Sequence, residues 1–93
     1  MSRRRSSRPA ARLARRLAQV ADETLSSAAR KQASRHAAAL AERLGLIERP
    51  ARCQWCRHRA PLNRHHDDHR EPLAILFLCC GCHAVADRIN LAS

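Results

Sequence analysis

Two pairs of thiols dominate the chemistry this chain can do. Cys53-x-x-Cys56 and Cys79-x-x-Cys82 are separated by 22 residues. Two C-x-x-C knuckles at such a separation place four thiolates where one tetrahedral Zn²⁺ can hold them. The chain has five cysteines, which cannot all pair as disulfides. Cys53, Cys56, Cys79 and Cys82 are therefore the candidate ligands of one structural Zn²⁺, and Cys80 is a spare thiol. Gly81 is read as the residue that lets the second knuckle turn tightly.

Between the knuckles lies Arg64-His65-His66-Asp67-Asp68-His69, a packed group of imidazoles and carboxylates that a structural zinc site does not need. Any reaction chemistry would be expected here. Leu73 to Leu78 is a short, continuous apolar run after Pro72, which predicts a buried strand. After Cys82, His83, Asp87 and Asn90 recur at i, i+4 and i+7, one face of a helix, with Val85 and Ile89 on another. The expected order is knuckle, strand or loop with His65 and His66, strand, knuckle, helix. Trp55 is expected to pack over the zinc site rather than stack on a base, His58 to point outward, and His36 to lie on a solvated helix face.

The run Cys53-x-x-Cys56, Leu62, His65-His66-x-Asp68, Pro72-Leu73, Leu78-Cys79-x-x-Cys82-His83 resembles small phage zinc proteins with an HNH-like (ββα-metal, His-Me finger) module. The resemblance covers roughly residues 43 to 88. It implies structural Zn²⁺ on the four cysteines and His66 as general base. It further implies His65 and His83, with Asp67 or Asp87, as ligands of a catalytic Mg²⁺, Mn²⁺ or Ni²⁺. Ala74 stands where that family usually has an Asn that orients the base, Asp87 where relatives often show a second helix His, and His69 where they often show Tyr. A base without its orienting partner loses positioning, so the resemblance implies weak, metal-dependent nicking at most.

The elements that position these residues must come from a chain of 93 residues with 2% aromatics, a core that is marginal without a staple. The fold class expected is small, zinc-stabilised α+β, with basic N-terminal helices ahead of an HNH-like ββα zinc module. The divisions are an Arg-rich mobile tail over 1–8, a basic helical region over 9–44 and the four-cysteine zinc module over 45–93. Ser7 and Pro9 read as a helix start. Leu13, Leu17, Val20, Leu25, Ala28, Ala39, Leu40 and Leu44 recur at helical spacing, as one long helix or as two broken near Asp22, with a stop at Gly45. Leu40, Leu44, Leu46 and Ile47 are expected to pack against the zinc module.

Charge is the remaining guide. Of the net +10, the first 44 residues hold eleven Lys or Arg against three acidic residues, a net of +8. That asymmetry predicts a polyanionic partner, nucleic acid rather than lipid and DNA ahead of RNA. Arg3, Arg4, Arg5, Arg8, Arg12, Arg15, Arg16, Arg30, Lys31 and Arg35 are the candidate phosphate contacts. No segment is apolar over the ~20 residues a bilayer span needs, and the Arg-rich start lacks a secretory apolar region, so a cytoplasmic setting is expected, in a phage-infected bacterial host. A non-catalytic nucleic-acid-binding protein leads. An HNH endonuclease or nickase is the alternative, and a phage effector that binds a host protein comes third; self-association of the long helix is a separate open outcome.

Overall fold

The computed structural model describes the backbone of residues 2–92 and the side chains of residues 8–89. Three helices and one antiparallel pair of strands make an α+β chain. It divides into two compact units: residues 1–48 with 68–74, and residues 49–67 with 75–93.

In the first unit, helix α1 (Ser2–Ala21) and helix α2 (Ser27–Arg43) form a hairpin. Leu13, Leu17 and Val20 lie at i, i+4 and i+7 of α1 and so share its inward face, and Leu13 and Val20 are buried. α2 answers mostly with alanine: Ala33, Ala37, Ala38 and Ala41 are buried beside Leu40. The core cluster is Leu13, Ala37, Leu40 and Ala41, with Leu17 and Ile47 against it. Leu40 and Ile47 thus serve the hairpin. The expected grouping of these two with Leu44 and Leu46 is corrected: Leu40 and Ile47 pack in the hairpin core, and Leu44 and Leu46 are exposed. The physical reason is proximity: the leucine stripe of α1 needs cover, and a short loop brings α2 back to supply it.

That loop is built from side-chain hydrogen bonds. The Asp22 carboxylate accepts from the Thr24 backbone N–H at 2.9 Å and from its hydroxyl at 2.6 Å. Those bonds favour the charged form and hold the Asp22 carboxyl below its ordinary value. Ser26 then caps α2, its hydroxyl accepting from the Ala29 N–H at 3.1 Å. At the other end Gly45 takes φ +78. The Leu46 N–H reaches Ala41 O at 2.9 Å and the Gly45 N–H reaches Glu42 O at 3.1 Å, a Schellman closure.

α1 begins at Ser2, ahead of the Ser7–Pro9 start read from the sequence, and carries Pro9 inside it. The expected mobile tail over 1–8 and the candidate contacts Arg3, Arg4 and Arg5 fall, Arg8 apart, outside the described side chains.

In the second unit, β1 (Asn63–His66) pairs antiparallel with β2 (Ile75–Leu78), Asn63 opposite Leu78 and His66 opposite Ile75. Helix α3 (Cys80–Ala92) follows directly. Cys53, Leu78 and Ala86 form the buried centre, with Leu62, Leu76, Cys79 and Cys82 packed around it. Two sequence expectations shift here. The strand starts at Ile75, leaving Leu73 exposed. Gly81 lies in the first turn of α3 and has no positive φ, so the second knuckle is a helix start rather than a glycine turn. Ala86 provides the inward face of α3, while Val85 and Ile89 are exposed. Among the described residues, no helix is long and apolar enough to cross a membrane.

Candidate metal centre

The first knuckle is folded by its own backbone. The Cys53 N–H donates to His58 O and the Arg57 N–H to Cys53 O, both at 3.0 Å, which curls residues 53–58 into a closed loop. Arg57 takes φ 67 to complete it, a left-handed conformation that glycine adopts more cheaply. Gln54 fastens the loop to β2: its N–H donates to Phe77 O at 3.0 Å, and its side-chain oxygen accepts from the Phe77 N–H at 2.8 Å. Arg49 adds a second tie, donating to Leu62 O at 2.7 Å with its guanidinium 4.7 Å from the Phe77 ring centre.

β2 delivers Cys79 and the first turn of α3 delivers Cys82, so the four thiols converge. Their sulfurs lie within 4.8 Å of one another. The Cys56 and Cys79 sulfurs are 3.7 Å apart. Ligands about 2.3 Å from a tetrahedral Zn²⁺ stand roughly 3.8 Å from each other, so this pair has the spacing of two ligands on one zinc ion. This cysteine group can hold a metal ion such as zinc. Cys80 is exposed and stands outside the group.

Electrostatics within the cluster favour a cation. Burial pushes the Cys53 thiol up, but backbone N–H groups of Cys56, Cys79 and Trp55 and the Cys56 thiol aim at its sulfur and draw it well below the usual thiol range. Burial pushes Cys82 up, and the neighbouring sulfurs of Cys79, Cys53 and Cys56 push it the same way, because a second thiolate would face the first. A bound dication removes that conflict.

A second group lies on the β1 and α3 side of this unit. One ligand atom each from His65, His83 and Asp87 falls within 4.8 Å of the others. Asp87 Oδ1 is 3.5 Å from His65 Nδ1 and 3.7 Å from His83 Nε2. Both distances exceed a good hydrogen bond and are close to the ~3.0–3.5 Å between neighbouring ligands about 2.1 Å from one ion. His65 is buried, and its Nε2 meets Asp67 Oδ1 at 2.9 Å. With the proton on Nε2, that contact leaves the Nδ1 lone pair facing Asp87, the carboxylate–histidine arrangement that orients metal ligands. The His65 and His83 rings meet edge to face, 5.3 Å between centres.

His66 is buried on β1 but does not join this group. Consecutive strand residues point to opposite faces. Trp55 is 43% exposed, which leaves much of its ring outside any packing over the cysteines. His58 contributes its backbone carbonyl to the first knuckle while its side chain is exposed. Of the candidate phosphate contacts, Arg8, Arg12, Arg15, Lys31 and Arg35 are exposed on α1 and α2, and Arg16 and Arg30 are half-buried. Two contributors carried no signal in the sequence: Arg57, which takes a positive φ in the first knuckle, and Gln54 as the tie to β2. In comparisons with protein-family models, curated proteins and solved structures, nothing matches this chain.

Proposed function

We propose that this chain is a zinc-stabilised nucleic-acid-binding protein of phage type that grips the phosphate backbone through its basic helices, DNA ahead of RNA. The observation that carries the reading is the charge on the helical hairpin. The first 44 residues carry a net +8, and among their described basic residues Arg8, Arg12, Arg15, Lys31 and Arg35 are exposed on the two helices. Phosphate contacts of this kind release counterions, so affinity falls steeply with salt. With about six arginines engaged, log K against log salt on duplex DNA should have a slope near −5. Deleting residues 1–16 should flatten that slope and weaken binding to all sequences alike. Unchanged binding after the deletion would defeat the reading.

A second reading is metal-dependent phosphodiester cleavage by an HNH-like module, and His65, His83 and Asp87 are the observation that favours it. A divalent ion there would supply positive charge to the scissile phosphate and leaving oxygen. His66 is the candidate base that takes a proton from water, and Asp67 fixes the His65 ring. Supercoiled plasmid with Mg²⁺, Mn²⁺ or Ni²⁺ separates the readings. Nicking lost in both His65→Ala and His66→Ala, with zinc content intact, supports cleavage, and no nicking with any ion leaves binding alone.

A further inference from the structure

The α1/α2 hairpin encloses a cleft of about 180 Å³ lined by Arg12, Arg16, His36, Ala39, Leu40 and Arg43. Arg12 and Arg16 are one turn apart on α1; His36 and Arg43 lie two turns apart on α2. Guanidinium groups stay protonated at any physiological pH, so three fixed positive charges from two helices line one cleft. Among the described residues, none of the lining side chains is acidic.

Another cleft of this unit makes the contrast. It is lined by Val20, Ala21, Glu23, Arg30 and Arg70, so two arginines there have a carboxylate beside them. Arg30 also donates to Asp22 O at 3.2 Å. In the cleft of Arg12, Arg16 and Arg43 no carboxylate stands among the described lining residues. Like charges one helical turn apart oppose the fold, and here they do so across a core made largely of alanine, which buries little apolar area.

We propose that this cleft is a binding site for a single phosphate group, which bridges α1 to α2 through Arg12, Arg16 and Arg43. Arginine forks match phosphate oxygens two at a time. Arg16 is already steered, its Nη1 donating to Gln19 Oε1 at 3.0 Å. His36 offers a further ring nitrogen, and the methyl groups of Ala39 and Leu40 give an apolar wall for the carbon side of an ester. The cleft has roughly six times the ~30 Å³ share of one water, enough for a phosphate with part of its sugar. Free phosphate and a backbone phosphodiester share this chemistry. The second source rests on the nucleic-acid-binding reading.

The test uses the full, zinc-loaded chain. Thermal unfolding is followed in rising inorganic phosphate against sodium chloride of equal ionic strength, and duplex DNA binding is followed against salt. The cleft variant is Arg12→Gln with Arg16→Gln and Arg43→Gln. The charge-matched comparison is Arg59→Gln with Arg70→Gln and Arg88→Gln. Phosphate should raise the unfolding temperature of the wild type and of the comparison, through ligand linkage, and leave the cleft variant unmoved. The cleft variant should also lose about 2.7 from its DNA salt slope, three contacts at about 0.9 each. Arg43→Gln alone carries the same test should the triple variant not fold. No phosphate response beyond ionic strength, or equal loss in both triple variants, overturns the cleft. Equal loss with DNA binding retained removes the cleft and keeps the nucleic-acid reading. A phosphate response confined to the cleft in a chain that binds no DNA keeps the cleft and removes that reading.

Discussion

Stripping the metal should unfold one unit of this chain and spare the other. Among the described residues, the unit of residues 49–67 and 75–93 buries two large apolar side chains almost completely, Phe77 and Leu78. At about 1.5–3 kcal/mol for each, their burial contributes roughly 3–6 kcal/mol. A structural Zn²⁺ on four thiolates is worth about 10–16 kcal/mol at neutral pH, so the ion outweighs the apolar core by a factor of about two or more. α3 has 13 residues, at the ~12–15 residue margin below which an isolated helix does not hold in water. Without the ion it should melt. α1 and α2, with 20 and 17 residues, have their own core around Leu13 and Leu40 and should remain. Titrating a chelator into the zinc-loaded protein while recording far-UV circular dichroism should therefore remove about a quarter of the helical signal in one step, reversed by added Zn²⁺. Cys53→Ser should start in that state, and Cys80→Ser should behave as wild type. A helical signal indifferent to chelation, or zinc lost from Cys80→Ser, would refute the reasoning.

Three smaller perturbations follow. Ser34 is fully buried in α2, and its hydroxyl has no hydrogen-bond partner among the described residues; Ser34→Ala removes an unsatisfied group and improves helix propensity, so denaturant unfolding should show a gain of about 1 kcal/mol. Gly81 lies inside α3 with open space where a Cβ would go, so Gly81→Ala should leave zinc content unchanged and stabilise the zinc-loaded chain by about 0.4–1 kcal/mol. The folded-state Asp22 carboxyl lies below its ordinary 3.8, so its contribution to stability is present above that pH and fades as pH falls through the folded value. Stability measured from pH 5 downward should consequently fall less steeply in Asp22→Ala than in the wild type.

The cysteine pairs are legible because ligand spacing is local: two residues between thiols leave few geometries, and the distance between knuckles needs only an antiparallel return. The His65, His83 and Asp87 group is half legible. The i, i+4 spacing puts His83 and Asp87 on one helix face, but bringing His65 to them depends on strand pairing. The helical character of residues 9–44 is visible in the sequence, whereas the choice between one helix and two, and the partner of Leu40 and Ile47, are not. Periodicity tells which side of a helix is apolar and is silent on what covers it, and an alanine-rich stripe accepts several partners. Arg57 is invisible for another reason. A left-handed residue other than glycine is imposed by the closure of the loop around Cys53, not by its own preference.

The bond pair between Gln54 and Phe77 bears on how the protein stays dispersed. A two-stranded sheet has two open edges, and β2, Ile75-Leu76-Phe77-Leu78, is a wholly apolar strand of the kind that recruits other chains. Gln54 occupies the outward N–H and C=O of Phe77 as a neighbouring strand would, and it sits between two zinc-ligand candidates, Cys53 and the knuckle that ends at Cys56. The same loop that gathers the thiols is therefore the cover on the stickiest edge of the sheet. If a zinc ion sits on the four thiols, its loss would open both together and expose an apolar strand edge to other chains.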